Sequence, residues 1–143
     1  DMTLEELQEL ADKDLKINDT ELDLESLKIP QLHNKYSKFH TKFINLLKKT
    51  ENERDRLVRE KWEYYTGKSA PSVYQVKPFN LKILKQDVDK YLKSDEDIIR
   101  IDQKVTYIQS IVDYLDKTIR IITNRTFQIK NAIEWRKFTS GVI

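Results

Sequence analysis

The sequence predicts an all-α protein: a short N-terminal helix, a long second helix, a loop, a short third helix and a long C-terminal helix with a coiled-coil-like seam. Three observations carry this. Only two glycines and three prolines interrupt 143 residues, too few for the turns of a β-rich chain. Apolar residues recur at intervals of three and four over long stretches, as on a helix face. Charged residues make up 35% against 38% hydrophobic, a balance that suits amphipathic helices around thin cores. Cores so thin favour self-association.

Thr3-Leu4-Glu5-Glu6 has the spacing of a capping box and opens a first helix through about Asp14, striped by Leu4, Leu7, Leu10 and Ala11. Asn18-Asp19-Thr20 is turn-like. Ser26 or Pro30 starts the second helix, because proline is tolerated where the N–H has no partner. That helix runs to Tyr65, and Gly67 stops it. Leu32, Tyr36, Phe39, Phe43 and Leu46 form its seam, nine polar residues follow from Lys48 to Arg56, and Leu57, Val58, Trp62 and Tyr65 resume the pattern. Residues 67–79 hold two prolines and no period, so they read as a mobile loop. Asn80 to Lys93 reads as a short helix with Leu81, Leu84, Val88 and Tyr91 inside, and Ser94-Asp95-Glu96-Asp97 caps the last one.

The last helix has the clearest pattern. Ile98, Ile101, Val105, Ile108, Val112, Leu115, Ile119, Ile122, Thr126, Ile129 and Ile133 alternate by three and four, and all but Thr126 are apolar. β-Branched residues at both seam positions favour assemblies larger than dimers. Tyr107, Ile111, Tyr114 and Ile121 add a second apolar flank. One side can meet its own chain and the other a neighbouring subunit, with Ile101, Ile108, Val112, Leu115, Ile119 and Ile122 at the oligomer interface. The expected organisation is one helical domain, 1–143. It comprises an acidic segment (1–25), a long basic helix (26–66), the loop (67–79) and helices forming the oligomer core (80–143).

Charge is unevenly spread. Residues 1–29 carry three lysines against ten acids (−7), residues 30–68 ten cations against five acids (+5), and residues 69–143 thirteen against nine (+4). The basic middle and tail suit a polyanion, and the head, with Glu5, Glu6, Glu9, Asp12 and Asp14, suits a protein partner that it steers or contacts. The cations Arg54, Arg56, Arg59, Lys61 and Lys68 lie on or just beyond one end of the long helix, beside Trp62, Tyr64 and Tyr65. Such a set can bind phosphates by counterion release and bases by stacking. A solvated helix face is the competing reading of the cations, and packing that of the aromatic residues. Arg125, Lys130, Arg136 and Lys137 suit either DNA or the dipole at a helix C-terminus.

Other chemistries find little support. His33 and His40 are too far apart for a local metal pair, and capping accounts for Asp95-Glu96-Asp97, so no metal or cofactor is expected. No glycine-rich phosphate loop is present, and no nucleophile has a base at recognisable spacing. No catalytic residues are assigned. The chain has no cysteine, no stretch near the roughly 20 apolar residues of a membrane span, and no signal-peptide pattern, so it reads as cytoplasmic. Asp1 ahead of Met2 reads as a residue added in cloning.

Several segments resemble one family. Glu63-Tyr64-Tyr65-Thr66-Gly67 resembles the Asp-Tyr-Tyr-Ser-Gly segment of the UvsY recombination mediators of T4-like phages. Asp95 to Asp102 is similar to the start of that family's C-terminal helix. Arg125-x-Phe127-x-Ile129-Lys130-x-x-Ile133-x-x-x-Arg136-x-Phe138-x-x-Gly141 matches its closing pattern in nearly every spacing. The Asp19-Thr20-x-Leu22 turn agrees as well, so the resemblance covers nearly the whole chain. It implies a non-enzymatic protein of the host cell cytoplasm that needs no cofactor and binds single-stranded DNA. Such a protein helps a RecA-like recombinase displace single-strand binding protein, as a ring-like hexamer or heptamer. The family's DNA-binding segment, Leu-Lys-Ala-Arg-Leu, falls on Val58-Arg59-Glu60-Lys61-Trp62. Both cations survive with identities exchanged, and Glu60 places an acid between them. The resemblance thus implies Arg59 and Lys61 as DNA-binding residues, which Arg54, Arg56, Lys68 and Tyr64 supplement. A coiled-coil adaptor that binds no DNA is the alternative.

Overall fold

A computed structural model describes residues 1–141. These fold into α1 (Leu4–Asp14), α2 (Leu22–Tyr65), α3 (Pro71–Val76), a 3-10 turn (Lys85–Asp87), α4 (Val88–Lys93) and α5 (Glu96–Thr139). The all-α expectation holds. The chain groups into two compact units, Asp1–Ile44 with Ser110–Ile143, and Asn45–Gln109. The division in α2 falls just before the polar stretch that starts at Lys48.

In the first unit, Thr3 caps α1 as its spacing predicts, its hydroxyl accepting from the Glu6 N–H at 3.1 Å. Leu7 and Ala11 are buried. Asp14 closes α1 by accepting from Lys35 Nζ at 2.7 Å and from the Tyr36 hydroxyl at 2.9 Å. Asn18 organises the following turn, its side-chain oxygen accepting from the Thr20 N–H and hydroxyl. The helix after it begins earlier than proline placement suggests. α2 starts at Leu22, and Pro30 lies inside it. An interior proline forfeits one backbone bond, which tertiary packing offsets here. Leu22 and Glu25, one turn apart, are both buried, and Pro30 itself is exposed, where water can reach the freed Ser26 carbonyl.

The seam of α5 requires a correction. Ile108, Val112, Leu115 and Ile122 are already buried within the single chain, so they form its core and not a surface between subunits. Ile101 and Ile119 are half-buried. A three-four repeat needs an apolar partner but does not say whether that partner is intramolecular. The apolar residues that α5 leaves exposed are others: Tyr107, Ile121, Phe127, Trp135 and Phe138. Arg125, expected near DNA or the helix dipole, is also buried, its guanidinium donating to the Leu15 carbonyl.

In the second unit, α2 ends as predicted. Gly67 has φ +77°, Lys68 N–H donates to the Glu63 carbonyl at 2.8 Å, and Gly67 N–H to the Tyr64 carbonyl at 3.3 Å. This is a Schellman closure, which only glycine enters without steric cost. The expected loop 67–79 contains a helix instead, with Pro71 in its first turn. Tyr74 fixes it, donating to the Tyr64 carbonyl at 2.8 Å and stacking on the Tyr64 ring at 5.5 Å. The expected helix 80–93 shrinks to Val88–Lys93 behind its 3-10 turn. Leu81 and Leu84 are exposed, with no apolar surface to hold an amphipathic turn in place.

Leu115 is fully buried, so Leu115→Ala should cost about 2–5 kcal/mol in urea unfolding followed by helix signal. A cost under about 1 kcal/mol would remove Leu115 from the core.

Candidate nucleic-acid interface

The C-terminal end of α2, within the second unit, carries five of the six residues assigned to DNA, Lys68 lies just beyond it, and the fold treats them differently. Arg59 is open, its side chain 71% exposed, with one contact to Glu63 at 3.7 Å, one turn on. Arg56, one turn before it, is exposed and makes no ion pair among the described residues. Lys68, beyond the Gly67 stop, is exposed and holds its ammonium 4.4 Å from the centre of the Trp62 ring. Arg54 is half-exposed and donates to Asp102 of α5. That bond raises the Arg54 pKa further.

Lys61 is engaged otherwise. Only 14% of its side chain is exposed, and its ammonium lies 2.7 Å from Asp97 and 3.2 Å from Asp95. Burial disfavours its charge, but the two carboxylates outweigh that and raise its pKa. Asp95 is the N-cap of α5. One oxygen accepts from the N–H groups of Asp97 at 2.9 Å and Ile98 at 3.1 Å, and the other from the Tyr65 hydroxyl at 2.6 Å. Burial works against its charge as well, yet Tyr65, the Ile98 N–H and Lys61 together lower its pKa. Burial and Asp95 push the Tyr65 hydroxyl well above its ordinary value. Sequence reading identified Asp95 as a cap but not as the partner of Lys61. The two are far apart along the chain, and no local spacing signals the pair.

Tyr64, expected as a stacking platform, lies in the interior. Its hydroxyl donates to the carbonyl of Lys77 at 3.1 Å, with that of Pro78 at 3.4 Å, and its ring meets Tyr65, Tyr74 and Phe79 at 5.1–5.5 Å. Its position among the aromatic residues leaves no face for a base. Trp62 is 39% exposed. Asp95 and Asp97 give their oxygens to the lysine, the tyrosine and N–H groups, and no group of three or more metal-binding side chains forms among the described residues. No described helix is long and apolar enough to cross a membrane.

The Lys61 cluster sets a pH signature. Asp95 and Asp97 sit below the ordinary 3.8 in the folded chain, so their contribution is complete above that value and is lost as pH falls through the lower folded values. Lys61 sits above 10.5, so its share is lost only as pH rises through the raised value. Lys61→Met should therefore cost about 3 kcal/mol near neutral pH, because it strands the buried Asp95. The gap to wild type should shrink at acid pH, as the pH falls through the lowered carboxylate values and the charges are lost. Urea unfolding at both pH values measures this, and an equal gap at each would rule out the ionic origin.

The sequence matches the family described as "Recombination, repair and ssDNA binding protein UvsY" over residues 10–142. It is 24% identical over 140 residues to the recombination protein uvsY of Enterobacteria phage T4, covering 98% of this chain and 99% of that one. The fold is similar to crystal structures of the bacteriophage T4 recombination mediator protein UvsY, at 24% identity. TM-scores are 0.86 for lattice type II (98% of this chain, 99% of that one) and 0.85 for lattice type IV (96% and 99%). The family match runs through both long helices and both units, and the chain belongs to the UvsY family of recombination, repair and ssDNA-binding proteins.

Proposed function

We infer that this chain is a recombination mediator and not an enzyme. It holds single-stranded DNA on Arg56, Arg59 and Lys68 and promotes loading of a RecA-like recombinase in place of single-strand binding protein, in the host cell cytoplasm. The observation that carries the reading is the exposure of Arg59, at 71% on the segment where the family resemblance expects DNA contact. Arg56 shares its helix face one turn away. Arg54 and Lys61 act through their carboxylate partners, and Tyr64 from the interior. Flexible surface cations suit phosphates, which are bound by charge and counterion release and need no rigid geometry.

Three cations per chain bind weakly, and repetition around a ring of six or seven copies makes the binding strong and salt-sensitive. The surface for that assembly is the exposed side of α5, where Ile121, Phe127, Trp135 and Phe138 fall within about a third of the helix circumference. Trp135 and Phe138 stack on each other at 5.7 Å. Exposed apolar groups of this size are unusual on a monomer and support an interface. The acids Glu5, Glu6, Glu9 and Asp12 point outward from α1 and suit a protein partner, while Asp14 is held by Lys35 and Tyr36.

Arg56→Ala with Arg59→Ala should weaken binding of a labelled single strand and flatten the dependence of log affinity on log salt, by about 0.7 for each phosphate no longer neutralised. Fluorescence anisotropy at several salt concentrations reads both, and an unchanged slope would move the site elsewhere. Trp135→Glu with Phe138→Glu should lower the assembly mass in light scattering at unchanged helix content. Constant mass would place the subunit surface elsewhere.

A further inference from the structure

Five aromatic residues of the second unit, Tyr64, Tyr65, Tyr74, Phe79 and Tyr91, pack on one another with ring centres 5.1–5.9 Å apart. Trp62 is next to them in sequence but takes no part. It sits on α2 at 39% exposure, one turn after Arg59, and the Lys68 ammonium lies over its ring. The part of the indole left in water forgoes its burial free energy, and the Lys68 ammonium lies over the ring. We propose that Trp62 is a stacking site for one nucleobase of a single DNA strand, with Arg59 and Lys68 taking the flanking phosphates. This rests on the single-strand-binding reading above and adds the element that senses bases.

The chemistry favours a nucleotide over other occupants. A base offers a flat π face to the indole, and any of the four bases can do so, which suits binding without sequence preference. A nucleotide joins that face to an anion a few ångströms away. Side chains one turn apart on a helix stand about 5–6 Å apart at Cβ, so a base on Trp62 leaves its phosphate within reach of Arg59. Lys68 marks the ring face as electron-rich and accessible to a cation. An arriving base displaces the ammonium to a neighbouring phosphate, so the charge exchanges one partner for another and is not stranded. Glu60 and Glu63 flank the site, and Glu63 lies 3.7 Å from Arg59. These acids disfavour a purely anionic ligand without a base to stack. A second copy of this chain is the rival occupant, but the exposed charges around Trp62 suit it poorly, because interface cores are depleted in charge.

The test compares the full chain and its Trp62→Leu and Trp62→Tyr variants on an oligo(dT) strand and an abasic strand of equal length, at fixed salt. Wild type should bind oligo(dT) about tenfold more tightly than the abasic strand per engaged base, with quenching of tryptophan emission. Trp62→Leu should reduce oligo(dT) affinity to the abasic level, lose part of the quenching and keep the salt slope. Trp62→Tyr should restore most of the preference, which a merely structural role would not require. An unchanged preference in Trp62→Leu overturns the proposal while leaving the DNA reading intact. A drop in assembly mass for Trp62→Leu also overturns it, by making Trp62 a subunit contact. Failure of wild type to bind either strand overturns the single-strand reading, and the proposal with it.

Discussion

The Asp95 carboxylate joins the end of α2 to the start of α5. It supplies the acceptor that the first N–H groups of α5 lack, takes the Tyr65 hydroxyl from the last turn of α2, and balances Lys61. Each partner also reduces the cost of burying the charge, since a lone carboxylate in that position would protonate. The start of α5 and the end of α2 therefore depend on the same two oxygens. The Schellman closure at Gly67 then turns the chain so that Tyr74 can return to the Tyr64 carbonyl. Loss of Asp95 would release a cap, a buried cation and a tyrosine at once.

This constraint separates the cations of α2 into two classes. Lys61 and Arg54 face carboxylates of the α5 segment and hold the unit together. Arg56 and Arg59, on the same helix, remain in solvent. A helix places residues two apart on different faces, so Arg59 and Lys61 cannot serve one surface. The exchange of lysine and arginine relative to the family segment agrees with this division. The compact ammonium of Lys61 fits between two carboxylates, while the planar fork of Arg59, paired among the described residues only with Glu63 at 3.7 Å, is exposed to an arriving anion.

Much of the fold was legible because the signals were local. The capping spacing at Thr3 and the Gly67 stop were read correctly, since each is set by its immediate neighbours. The apolar period of α5 was legible too, but its meaning was not. The period is the same whether the partner lies in the same chain or in another subunit, and only the burial of Leu115 and Ile122 within the chain decides it. α3 and the shortened α4 were missed because they are determined by contacts from Tyr74 and by the absence of a surface for Leu81 and Leu84. The candidate site was legible as a charged segment. Which of its cations were already paired was not, because Asp95, Asp97 and Asp102 come from a distant helix.

The acids that interrupt the basic end of α2 bear on the proposed role. With Glu60 and Glu63 among Arg56, Arg59 and Lys68, one chain presents three exposed cations against two carboxylates. Charge alone then gives each copy a weak hold on a phosphate chain, and screening by salt weakens it further. A weak unit repeated around a ring still binds tightly, but its contacts can be released one at a time. That property suits a protein that must hand its strand to another. A site of unbroken positive charge would compete with any protein that takes the strand for the same phosphates. A stacking residue shifts part of the affinity from phosphates to bases, where salt has little influence. The balance between Trp62 and the neighbouring cations would then set how readily the strand is held, and how readily it is given up.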